Sequence, residues 1–80
     1  MKTRIWVRAF RRDDGSWLTT VKVQEHIRDG RLPRYRTGLF YEIAGHASKA
    51  DALRIGRSDA RRLKRFIAKE GRIPGGRILV

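Results

Sequence analysis

The chain has no cysteine, only two prolines and one methionine, and eight acidic residues against twenty basic ones. Each shortage removes a class of explanation. Without cysteine there is no disulfide, no thiolate metal site and no thiol nucleophile. Nothing then calls for an oxidising compartment. No stretch approaches the ~20 apolar residues of a membrane span. The opening Met1-Lys2-Thr3-Arg4-Ile5-Trp6 is not followed by the apolar core of a signal peptide. These absences lead us to expect a cytoplasmic protein with no membrane partner.

Catalytic chemistry is equally sparse. His26 and His46 are the only histidines, and the carboxylates are few and scattered. Two imidazoles without a thiolate or a carboxylate cluster make a poor metal site, so no metal and no cofactor is expected. His46, between Gly45 and Ser48, could act as the base of a small ribonuclease, with Lys49 or Arg54 steadying the phosphate. A histidine at a helix start explains the same residues more simply. Ser16, Ser48 and Ser58 fit turn and cap positions. Gly75-Gly76 is followed by no Lys-Ser or Lys-Thr, so it is not a phosphate loop. We expect a protein that is not an enzyme.

What remains is charge. The formal net charge is +12 over 80 residues, with a pI near 11.6. That length supports a single domain, residues 1–80, with a thin stability margin. So much like charge repels itself in the folded state. It is tolerated where something negative compensates. Most of the basic residues are arginine, whose planar fork fits phosphate and carboxylate bidentately. The expected partner is nucleic acid, DNA before RNA, or else an acidic protein surface.

Residues 3–10 alternate with period two. Thr3, Ile5, Val7 and Ala9 take one face; Arg4, Trp6, Arg8 and Phe10 take the other. That is strand periodicity. Asp13-Asp14-Gly15-Ser16 is a turn. Residues 17–25 form a second strand, with Trp17, Thr19, Val21 and Val23 opposed to Leu18, Thr20, Lys22 and Gln24. Asp29-Gly30 marks another hairpin turn. Residues 35–44 suit a third strand with a bulge at Gly38 and an end at Gly45.

The period then changes. Ser48-Lys49-Ala50-Asp51 fits a capping box with Asp in place of Glu, opening a short helix through Ile55. Gly56 and Ser58 interrupt it. A second helix, 59–70, ends at Gly71 and carries an apolar stripe of Ala60, Leu63, Phe66 and Ile67. Pro74-Gly75-Gly76 breaks the chain, and residues 77–80 can add a short strand or an apolar tail. The expected fold is α+β: a three-stranded antiparallel sheet, a short helix and one main amphipathic helix (βββα). The expected core is Ile5, Val7, Val21, Val23, Leu39, Ile43, Leu63, Phe66 and Ile67.

Two constellations carry binding chemistry. Arg4, Trp6, Arg8, Phe10 and, if the strand continues, Arg12 alternate basic and aromatic groups on one strand face. Rings stack on bases while arginines neutralise phosphate. The competing reading places Trp6 and Phe10 in the core, with arginines snorkelling round them. Arg61, Arg62, Arg65 and Lys69 form a basic helix face with no acid at i+4 to relieve it.

Residues 52–78 also resemble the helix-turn-helix and wing of excisionase-type DNA-binding domains. Ala52-Leu53, Ile55-Gly56, Ser58, Leu63, Phe66-Ile67 and Glu70-Gly71-Arg72-Ile73-Pro74 carry the likeness, which covers about a third of the chain. It implies that Arg61, Arg62 and Arg65 face a DNA groove, with Arg72 and Arg77 flanking the wing. By size and composition the chain is also similar to small phage and mobile-element proteins of the anti-CRISPR type. That likeness implies an inhibitor whose basic surface docks on an acidic or nucleic-acid-binding surface of a Cas protein and blocks target-DNA binding.

Overall fold

A computed structural model of the chain describes residues 2–30 and 32–74, with Arg28, Asp29 and Leu32 described by their backbone alone. Strands β1 (Thr3–Arg11), β2 (Trp17–Asp29) and β3 (Leu32–His46) precede helix α1 (Lys49–Glu70). The sheet is antiparallel in the order β1-β2-β3. The expected βββα architecture is therefore the observed one. Residues 77–80, expected as a final strand or tail, lie outside the described residues.

The first hairpin closes where the sequence places it. Arg12 N–H donates to the Ser16 carbonyl (2.7 Å) and Gly15 N–H to the Arg12 carbonyl (3.0 Å). Asp14 Oδ1 accepts from both the Ser16 amide (2.9 Å) and its hydroxyl (2.6 Å). Those bonds hold the Asp14 carboxyl below its ordinary pKa. Arg12 thus belongs to the turn, because β1 ends at Arg11. β2 and β3 are longer than periodicity suggests, and Asp29 pairs with Leu32 across their turn.

β3 is out of step with β2 at two places. Val23 pairs with Leu39 but Gln24 pairs with Thr37, which leaves Gly38 as the extra residue. Thr19 pairs with Ile43 but Trp17 pairs with His46, so Ala44 and Gly45 face the one residue Leu18. Gly45 sits at φ +88, a conformation that favours glycine. Gly45 is therefore a bulge within β3, and the strand runs one residue past it.

The helix begins as expected. Ser48 Oγ accepts from the Asp51 amide at 3.1 Å, which satisfies one orphan donor. It ends at Gly71, in the left-handed region at φ +70, whose N–H donates to the Ile67 carbonyl at 2.9 Å. The expected break is not there: α1 is one uninterrupted helix from Lys49 to Glu70. Gly56 does something else. A Cβ at that position would lie 2.5 Å from Val7 Cγ1 and 2.6 Å from Thr19 Oγ1. Its missing side chain lets the helix approach the sheet closely, and that packing outweighs the ~1 kcal/mol cost of a mid-helix glycine.

The helix lies chiefly over β1 and β2. Val21, Val23, Leu39, Ala52 and Ile67 are buried, and Ile5, Tyr41, Leu63 and Ile73 pack against the cluster of Val23, Leu39 and Ile67. Val7, Ile43 and Phe66, also expected in the core, are partly exposed. Tyr41 adds a polar tie. Its hydroxyl donates to Asp59 Oδ2 at 3.0 Å, joining β3 to the helix. Burial, then the Asp59 carboxylate, push the Tyr41 phenol up to about 12.

Candidate nucleic-acid interface

Because side chains alternate along a strand, one helix can cover only one face of the sheet. Here it covers the face of Ile5, Val7, Thr19, Val21 and Val23. The other face stays open, and it is the face of Trp6, Arg8 and Phe10. Neither ring belongs to the helix-side core. Phe10 is 48% exposed and Trp6 is half-buried among its neighbours on the open side.

The register builds this face in rows. Trp6 pairs with Lys22, and Lys22 with Phe40. Arg8 pairs with Thr20, and Thr20 with Glu42. Phe10 pairs with Leu18. Between the outer strands lies a hollow of about 590 Å³, walled by Trp6, Arg8 and Phe10 on one side and by Phe40 and Glu42 on the other. Thr20, Lys22 and Gln24 of the central strand line it as well.

Trp6 is held in place. Its indole N–H donates to Gln24 Oε1 at 3.1 Å. The Arg4 guanidinium lies 4.7 Å from the Trp6 ring centroid and 5.0 Å from that of Tyr35. Arg8 lies 5.6 Å from the Trp6 ring. These are cation–π distances. They keep two guanidinium groups over rings, with N–H edges free to donate. Tyr35 itself rests against His26, ring centroids 4.9 Å apart.

The outer face of α1 is different. Arg54, Arg57, Arg61, Arg62, Lys64, Arg65 and Lys69 are all exposed. Arg54 lies 3.5 Å from Asp51; the others form no ion pair among the described residues. No ring interrupts this stripe. Arg72, just past the helix, stacks on Phe66 at 5.2 Å. Arg77 is outside the described residues.

The structure therefore gathers the expected residues into two groups on opposite sides of the molecule. Arg4, Trp6 and Arg8 share the open sheet face. Arg61, Arg62, Arg65 and Lys69 share the helix. Periodicity missed Lys22, Tyr35, Phe40 and Glu42 on the sheet, and Arg54, Arg57 and Lys64 on the helix. Arg54 and Arg57 were hidden by the supposed break at Gly56, whereas Lys64 lies within the expected 59–70 helix and joins the stripe only when that helix is continuous with the turns before it. The β3 residues were hidden by the bulge: Tyr35 and Thr37 face the open side as odd positions, but beyond Gly38 that side passes to the even positions Phe40 and Glu42.

His46 lies in β3, and its Nε2 is buried with no hydrogen-bond partner, as is that of His26. Among the described residues no group of His, Asp and Glu is placed to hold a metal ion, and no helix is long and apolar enough to cross a membrane. Compared with known proteins, the chain matches no family model, no curated protein and no solved structure.

Proposed function

We propose that this protein is a non-catalytic nucleic-acid-binding module. One observation carries the reading: the helix packs on the far side of the sheet, so the alternating basic and aromatic face of β1 is left open. Rings held open between arginines offer stacking surface beside cations. Nucleic acid supplies both complements, bases for the rings and phosphates for the guanidinium groups. The helix stripe supports the same reading. Its cations sit at helical spacing and, apart from Arg54, form no ion pair among the described residues; phosphate neutralisation by such cations releases counterions.

The test is equilibrium binding to random duplex DNA, single-stranded DNA and structured RNA across a salt series. The reading expects sub-micromolar affinity for at least one form at about 0.15 M salt, falling steeply as salt rises. Weak binding to all three at that salt would overturn it. The positive surface would then belong to an acidic protein partner, as in a docked inhibitor of a host complex, and capture by such a protein would be the next measurement.

A further inference from the structure

The open face is basic except at one position. Arg4, Arg8 and Lys22 stand on it with a single carboxylate, Glu42, which is exposed and forms no ion pair among the described residues. A surface made only to hold phosphate gains nothing from a carboxylate, because the like charge repels. A carboxylate is useful there if the ligand presents a donor. Bases do so through their exocyclic amino groups, and the cytosine N4 amino group is the one that Asp and Glu accept from.

The rings narrow the form of the ligand. Phe10 and Phe40 are 48% and 45% exposed, and a phenyl ring gains most from a base by stacking on its face. In a duplex those base faces are already stacked, and only edges reach the groove. The hollow is also concave, with Trp6 and Phe40 on its opposite walls. Strand spacing puts two strands on either side of a central one ~9.5 Å apart, which leaves room for a flat base between side chains of the outer strands.

Resting on the nucleic-acid reading above, we infer that the hollow seats an unpaired base stacked on Phe40, with Trp6 under the Arg4 and Arg8 guanidinium groups closing the opposite wall and Glu42 selecting a base that carries an amino group, cytosine over thymine. The two pyrimidines differ at position four, amino in one and carbonyl in the other. Glu42 accepts from the first and repels the second. Lys22, between the two rings in its row, donates to the ring acceptors that cytosine leaves on the same edge.

The experiment measures binding of the full chain to oligo(dC), oligo(dT) and a random duplex, each with strands of ~12 nucleotides. The wild type is compared with Phe40→Ala and Glu42→Gln. Both positions are exposed, and thermal unfolding verifies that each variant is folded. Oligo(dC) is expected to bind roughly fivefold or more tighter than oligo(dT). Phe40→Ala should weaken both single strands about tenfold and leave the duplex unchanged. Glu42→Gln should close the gap between dC and dT by strengthening dT. Duplex binding as tight as single-strand binding, with Phe40→Ala neutral, would overturn this inference while sparing the wider reading. No binding to any of the three, nor to structured RNA, at about 0.15 M salt would overturn both.

Discussion

The two outward faces of this molecule have the same sign of charge and little else in common. The helix presents arginines and lysines with no ring between them. The sheet presents fewer cations, but it places them over and between Trp6, Phe10, Tyr35 and Phe40 and adds Glu42. A face of cations without rings responds first to the density of negative charge. A face that mixes cations, rings and one acceptor can distinguish forms of the same polymer. On the proposed reading, attraction and discrimination are separated by the thickness of one sheet and one helix.

The separation is open to test, and the largest effect should come from the helix. Replacing Arg57, Arg61 and Arg65 together with Ala should weaken binding to every nucleic acid about tenfold to a hundredfold at ~0.15 M salt. It should lower the salt slope by up to about three. Titrations at several salt concentrations read both, and a loss confined to one nucleic-acid form would break the comparison. On the sheet, Trp6→Ala should weaken single-strand binding about tenfold with little change in salt slope. A change in slope equal to that of the helix variant would show that the faces do not differ in kind.

Two further substitutions act on the layer between the faces. Gly56→Ala introduces a methyl group against Val7 and the fully buried Thr19. Overpacking should cost ~1–3 kcal/mol, partly offset by the better helix propensity of alanine. Urea unfolding measures the balance, and a more stable variant would mean that the close approach is not needed. Tyr41→Phe removes the bond to Asp59 and should cost ~1 kcal/mol near neutral pH. The same bond predicts a pH effect. The phenol titrates near 12 in the folded state against an ordinary 10.0, so the folded state holds the proton more tightly. The added stability is present below pH 10 and is lost as the pH rises towards 12. Subtracting Tyr41→Phe from wild type over that interval isolates it from lysine titration, and parallel curves would remove Tyr41 as its source.

Much of the fold is legible in the sequence because local chemistry and tertiary structure agree over most of it. The alternation of residues 3–10, the Asp-Gly turns, Ser48 and Gly71 each announce the element they form. The helix-side core follows from the same alternation. Two glycines mislead: Gly45 looks like a strand end and is a bulge inside β3, and Gly56 looks like a break and is mid-helix. Gly56 looks like a break because its purpose, contact with Val7 and Thr19, lies 49 and 37 residues away in the chain. The resemblance to a helix-turn-helix places a turn at that same glycine, and residues 52–70 instead form unbroken helix. Gly38 is readable as a bulge, but its effect on the residues after it is not obvious until the pairing with β2 is known. The site was therefore half legible: the β1 contribution and four of the helix cations could be named, whereas Phe40 and Glu42 needed the register.

The bulges that re-aim β3 also bear on how the molecule behaves in a crowd. β3 ends the three-stranded sheet on one side, and a strand in that position exposes backbone donors and acceptors that invite another chain to extend the sheet. An incoming strand needs a regular row of such groups. β3 offers one interrupted at Gly38 and again at Ala44–Gly45, so a second chain that starts in step falls out of step within a few residues. A small, highly charged protein with exposed rings on its open side is thereby discouraged from growing into a ribbon of its own copies.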